Sequence, residues 1–287
     1  MFKILIGEIS SNKAIVIARF LKEHYDQVYI VSYDYAGFTK KIHSRFSDEH
    51  YVIPFVDRQQ YVRELADMCS KLSIDLFIPV HSNYIGDILQ HKALFGSVLD
   101  YVGSYDTYVQ LHDKKRMQHQ VQRLGIPMPV EYVDFEQAVV PFVAKPTNQS
   151  SSKGVTYFRT EDEKKNSNAE DYKGYIYQSY VVGEGCGYSV YAYEGRILAG
   201  YGHKRLMEYP VSGGSSVYRT PYEHPDMRNY AEIILSKIKW SGFAMFEFKL
   251  SPNGDLYLIE VNPRIWGSVN QGLIVTGKHW KIGRAHV

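Results

Sequence analysis

The chain has 287 residues, enough for two or three packed layers, and 45% of them are hydrophobic, enough for a substantial core. Its 33 basic and 31 acidic residues nearly cancel, which argues against nucleic acid as a partner, and its two cysteines, Cys69 and Cys186, are too far apart and too few for a disulfide framework or a zinc ribbon. The opening MFKILIGEIS is too short an apolar run for a signal peptide and no later run approaches a membrane span, so a cytoplasmic protein with no membrane partner is expected.

Residues 1 to about 105 alternate strand and helix patterns, as a parallel α/β layer should. Lys3 to Ile6 is a short buried strand. Ser10 or Ser11 then caps a helix with Ala14, Ile15, Ile17, Ala18 and Leu21 on one face. Val28 to Val31 is a second strand, Tyr61, Leu65, Met68, Cys69 and Leu72 mark a second helix, and Asp75 to Val80 a further strand. The layer is Rossmann-like by pattern, but its first turn, Gly7 to Asn12, lacks the GxGxxG fingerprint that brings backbone against a pyrophosphate. A dinucleotide site is therefore disfavoured.

Asp113 caps a helix carrying Met117, Val121 and Leu124, which Gly125-Ile126-Pro127 ends. Lys114, Lys115 and Arg116 crowd its first turn, where cations sit poorly against the helix dipole. Pro141 to Pro146 reads as a buried strand ending on Lys145, followed by the small-residue loop from Thr147 to Gly154. Such a loop exposes the backbone N–H groups that cradle phosphate, although any flexible loop has the same composition. Residues 160–174 are polar and read as a surface loop. Tyr175 to Val182 is an aromatic-rich edge strand that a turn at Gly183-Glu184 follows.

Tyr188 to Tyr193 and Arg196 to Tyr201 form a hairpin around Glu194-Gly195. His203-Lys204-Arg205, with the Gly/Ser turn from Ser212 to Ser216, makes an anion site or a solvated basic run. Pro225 opens a helix with Met227, Tyr230, Ala231, Ile234 and Ile238 on one face. The segment Phe243 to Arg264 is a second hairpin, read with Asn253-Gly254 as a two-residue turn, which sets Glu247 opposite Glu260 and Met245 opposite Asn262. Side chains alternate, so Glu247, Glu260 and Asn262 share a face. Opposed carboxylates repel, and removing one charge from the metal-free hairpin should leave it unchanged or slightly stabilised. A solvated face would show this pattern; so would oxygen ligands for a hard cation such as Mg²⁺, completed by substrate phosphates.

Glu247 followed by Glu260-Val-Asn262-Pro-Arg264 resembles the metal-binding signature of the ATP-grasp superfamily. The resemblance extends to Asp113-Lys114 with Gly125-Ile126-Pro127 downstream, to the strand ending on Lys145, and to Tyr175 to Glu184, the linker between the halves of the grasp. The segment from His203 to Ser216 is similar to bacterial members related to carbamoyl-phosphate synthase and biotin carboxylase. The resemblance implies a Rossmann-like pre-ATP-grasp domain at 1–112, a first α+β lobe at 113–182 and a second at 183–287. It implies ATP held by Lys114, Lys145, Ser151, Ser152, Gly154, Gln178, Tyr180, Val181 and Glu184, with Mg²⁺ or Mn²⁺ on Glu247, Glu260 and Asn262. Arg264, Lys204 and Arg205 are the implied catalytic cations. The implied reaction is a carboxylate–amine or carboxylate–thiol ligation through an acyl phosphate, forming ADP and phosphate. A phosphotransferase and a non-catalytic nucleotide-binding protein are the rival readings. Small-molecule carboxylates and amines are the implied partners, together with a homodimer. The loop carries serines where the family has glycines, and Ile282 to Val287 looks like translated adapter sequence, so an incomplete C-terminus is expected.

Overall fold

The computed structural model describes residues 1–36, 44–80, 83–147, 154–209 and 215–276, which form three sheets and the helices that cover them. The first sheet is all parallel, in the order β3 (Glu49–Ile53), β2 (Val28–Tyr35), β1 (Phe2–Gly7), β4 (Leu76–Ile78). The strand Glu49–Ile53 was not legible in the sequence, because only Ile53 of its five residues is buried. Of the two serines before the first helix, Asn12–His24, Ser11 is the cap and its side chain accepts from Ala14 N.

The second sheet is small and antiparallel, in the order β5 (Glu131–Tyr132), β8 (Tyr175–Ser179), β6 (Phe142–Pro146), β7 (Thr156–Phe158). The polar stretch 160–174, read as a loop, instead contains the helix Glu161–Lys165 and the 3-10 turn Ala169–Tyr172. Its capping box was the overlooked signal: Thr160 accepts from Glu163 N while the Glu163 side chain accepts from Thr160 N.

The third sheet positions the site. It runs β11 (Ser215–Pro221), β10 (Arg196–Tyr209), β9 (Glu184–Tyr193), β12 (Gly242–Leu250), β13 (Leu256–Asn262), antiparallel throughout. Both faces are covered, which is why its central strand β9 is buried at eight consecutive positions instead of alternating. One face packs Cys186, Tyr188, Val190, Ala244, Phe246 and Phe248 with the helix Pro225–Ile238. The other contributes Tyr191, Tyr201, Phe243 and Met245, with Ile265 and Trp266 just beyond β13, to one core shared with the parallel sheet. No helix among the described residues is long and apolar enough to cross a membrane.

The turn between β12 and β13 corrects the two-residue reading. Gly254 N donates to Ser251 O at 3.0 Å and Ser251 N donates to Asp255 O at 2.9 Å, leaving three turn residues with Gly254 at φ 90°. Pro252 suits the first central position of such a type I turn, and the positive φ at Gly254 suits glycine. The altered turn would displace Glu247 from Glu260 by one residue. A bulge at Ile259 restores the register: Phe248 pairs with Leu258, but Glu247 pairs with Glu260 and Met245 with Asn262.

Trp266 is fully buried, and its Nε1 donates to Tyr201 Oη at 2.8 Å, which donates onward to Ser268 O at 2.9 Å. It joins the third sheet to the parallel layer. Trp266→Ala should lower unfolding free energy by about 3–5 kcal/mol in urea titration, the usual range for deleting a fully buried large aromatic.

Candidate active site

One row of paired residues crosses the third sheet as His203, Gly187, Glu247 and Glu260. Gly187 keeps the row passable: a Cβ there would lie 2.7 Å from His203 Cε1 and 3.0 Å from Phe246 O. Asn262 Nδ2 donates to Glu260 Oε1 at 2.9 Å and to Glu247 Oε1 at 3.3 Å, so the three side chains meet on one face.

Cations from four other places close around them. Lys114, first residue of the helix Lys114–Arg123 that Asp113 caps, puts Nζ 3.4 Å from Glu260 Oε2. Arg205 on β10 places Nη2 2.5 Å from Glu247 Oε2 and Nη1 3.2 Å from Glu208 Oε1. Arg264 Nη2 donates to Asn262 Oδ1 at 3.4 Å. Lys145, on the second sheet, donates to Gln178 Oε1 at 2.8 Å, and Gln178 in turn donates to Gln118. Burial holds the Lys145 amine down at about 8, against the nearby Glu260 carboxylate. Burial likewise pushes Glu247 up, beyond the opposing pull of Arg205. Burial would raise Glu260 too, but Lys114, the Asn262 hydrogen bond and Lys145 outweigh it and hold Glu260 below its ordinary value.

Lys114, Lys145, Arg205, Glu208, Glu247 and Glu260 line an open cleft between the second and third sheets, walled also by Pro146, Val155, Tyr157, Gly185 and Lys249, with Asn262 and Arg264 beside it. The donor set is two carboxylates and an amide, with no sulfur and no imidazole, which fits a hard divalent cation and leaves further positions for phosphate oxygens. Asn262 now offers its N–H atoms to both carboxylates, so it would hold a cation only by presenting Oδ1 instead.

Of the residues singled out in the sequence, Lys114, Lys145, Arg205, Glu247, Glu260, Asn262 and Arg264 converge here. Ser151 and Ser152 lie outside the described residues. Gly154, with φ 70°, follows them. Gln178 is 1% exposed and engaged by Lys145 and Gln118, so it supports the lysine and is not presented to a ligand. Tyr180 N donates to Pro141 O at 3.0 Å, and its ring meets Tyr157 edge-on beside the cleft; Val181 is half-buried in the linker after it. Lys204 is a correction: strand alternation turns it away from Arg205, and its Nζ contacts Glu184 Oε2 at 2.5 Å near the Tyr222 ring. Glu184 is thereby also drawn to the opposite face. Sequence reasoning missed Glu208, Lys249 and Gln118; Glu208 was detectable, three residues after Arg205.

The expected repulsion between the carboxylates is also corrected, because the protein's own cations outweigh it at Glu260. A carboxyl whose folded pKa lies below its ordinary 4.5 contributes stability above that pH and loses it as pH falls. Nucleotide-free Glu260→Gln should therefore melt below wild type at pH 7, with the gap closing as pH drops beneath about 4.5 in paired thermal scans.

The family model described as an ATP-grasp domain matches residues 111–268. No curated protein sequence matches the chain. Among solved structures, Campylobacter jejuni biotin carboxylase in a β-γ-ATP complex superposes with a TM-score of 0.77 at 16% identity, over 96% of this chain and 68% of that one. Rhizobium etli pyruvate carboxylase gives 0.76 at 17% identity, over 97% of this chain but only 28% of its own length. Bacillus licheniformis L-amino acid ligase gives 0.71 at 15% identity, over 96% of this chain and 70% of that one. At these identities the likeness is one of fold.

Proposed function

The chain belongs to the ATP-grasp family, and from that premise we propose that it is an ATP-dependent ligase that activates a carboxylate as an acyl phosphate for attack by an amine or thiol. The observation that carries this reading is the convergence, around one cleft, of Lys114 and Lys145 from the first lobe with Glu247, Glu260 and Asn262 from the second. The proposed division is a pre-ATP-grasp domain at 1–112 and lobes at 113–182 and 183–287.

Lys114 and Lys145 bind phosphate oxygens of ATP, and the backbone of the linker at Tyr180 and Val181 receives the adenine. Glu247, Glu260 and Asn262 hold Mg²⁺, which when bound supplies charge neutralisation at the phosphates. Arg264 orients the substrate carboxylate, which attacks the γ-phosphorus as ADP departs; the amine or thiol then displaces phosphate from the acyl phosphate. No side chain serves as nucleophile, because positioning and electrostatics do most of the work in phosphoryl transfer. Lys145 is suited to its role by burial: a desolvated cation gains most when a polyanion arrives.

The test is ADP release by purified protein over pools of carboxylates, with and without amines and thiols. Release that requires both a carboxylate and a nucleophile is expected, and release without an acceptor nucleophile would overturn the ligase reading. In calorimetry Lys145→Ala should weaken Mg·ATP binding by roughly ten- to hundred-fold, the scale of a charge-assisted contact of about 1.5–3 kcal/mol. Unchanged affinity would remove Lys145 from the site.

A further inference from the structure

Two guanidinium groups confront each other on the face that carries Glu247, because Arg205 on β10 and Arg219 on β11 are directly paired. Like charges so placed repel. Arg205 is neutralised by Glu247 and Glu208, whereas Arg219 donates from Nη2 to Ser216 O at 2.9 Å and forms no ion pair among the described residues. Burial, with Arg205 adding to it and the Tyr201 hydroxyl opposing it, holds Arg219 below the ordinary guanidinium pKa, and no carboxylate among the described residues is a cause of the shift. Beside it, His203 is 2% exposed and its Nδ1 is buried without a hydrogen-bond partner. His203 shares the row of Gly187, Glu247 and Glu260, and its ring lies over Gly187. An unneutralised cation and an unsatisfied buried nitrogen thus stand together at the β11 end of the face; the cation invites an anion, and the neutral imidazole can donate to the same anion in the tautomer protonated at Nδ1.

The nucleotide phosphates are poorly placed to be that anion. The lysines that would hold them lie toward β13, where Lys114 contacts Glu260, and the Arg205–Glu247 pair stands between them and Arg219. From β11 to the strand bearing Glu247 is three strand spacings, about 14 Å at roughly 4.8 Å each, a distance to be shared between an arginine side chain extended along the face and its ligand. The gap that remains is the length of a short carbon chain.

Resting on the ligase reading above, we propose that Arg219, with His203 beside it, binds a second carboxylate of the substrate, so that the acid activated at the metal site is a dicarboxylate. A planar guanidinium suits that role, since it receives a carboxylate through two parallel hydrogen bonds.

The experiment titrates wild type, Arg219→Gln and Arg219→Lys, each loaded with Mg²⁺ and a non-hydrolysable ATP analogue, with succinate, glutarate and adipate against butyrate, valerate and hexanoate. At least one dicarboxylate should bind wild type about ten-fold or more tightly than the monocarboxylate of equal chain length, on the scale of a charge-assisted contact. Arg219→Gln should abolish that advantage and Arg219→Lys retain part of it, with affinity for the nucleotide analogue unchanged in both. No dicarboxylate advantage in wild type, or an advantage that survives Arg219→Gln, overturns the proposal. Weakened nucleotide binding in Arg219→Gln overturns it as well, by assigning the arginine to phosphate. Wild type that fails to bind the analogue at all overturns the ligase reading itself, a result distinct from each of the others.

Discussion

The structure depends on a repulsion that it has arranged to contain. Glu247 and Glu260 face each other on adjacent strands, a pairing that costs stability on any ordinary sheet surface. Here the cost is offset from outside the hairpin: Lys114 comes from a helix N-terminus, Arg205 from β10, and Asn262 joins the two carboxylates through its amide. The compensation is uneven. Glu260 gathers enough positive potential to stay readily ionised, while Glu247 does not overcome its burial. Lys145, on the second sheet, lies within the field of Glu260, which offsets part of its burial.

That arrangement needs a floor that does not move. β9 supplies it, buried on both sides between the helix Pro225–Ile238 and the core shared with the parallel layer. Gly185 lines the cleft, and at Gly187 a Cβ would meet His203 Cε1 at 2.7 Å. The Trp266–Tyr201–Ser268 hydrogen bonds then tie the segment just after Arg264 to β10. Thus the strand carrying Arg205 and the turn carrying Arg264 are held to one another by buried contacts, and the two arginines keep their separation.

Much of this was legible because the chemistry is local. The caps at Ser11 and Asp113, the Glu194-Gly195 hairpin and the shared face of Glu247, Glu260 and Asn262 all follow from residue preferences and period-two alternation. The register of the carboxylates was reached through an incorrect turn, and it held only because the bulge at Ile259 cancels the extra turn residue. Such a compensation has no local signature. The sense of Lys204 was misjudged for a simpler reason: three adjacent basic residues were taken together, although a strand must send neighbours to opposite faces. Gln118 and Lys249 were missed because their meaning lies in partners 60 and 66 residues away, Gln178 and Gly183, whereas Glu208 stands three residues from Arg205 and was within reach of the sequence.

The charge balance of the cleft links these observations to the proposed ligand. Lys114, Lys145, Arg205 and Lys249 line it against Glu208, Glu247 and Glu260, and Arg264 stands at its edge beside Asn262. The excess is two positive charges, the rest being balanced by internal ion pairs. A fully ionised nucleoside triphosphate alone would overshoot this excess, whereas its complex with one divalent cation carries two negative charges fewer and matches it. On the proposed reading a cation would be favoured on electrostatic grounds as well as by the proposed ligand set, since it would satisfy the carboxylates from which bound phosphates would draw Lys114 and Arg205. Under that proposal the site would favour nucleotide and metal together over either one alone, because each would remove the charge imbalance the other creates.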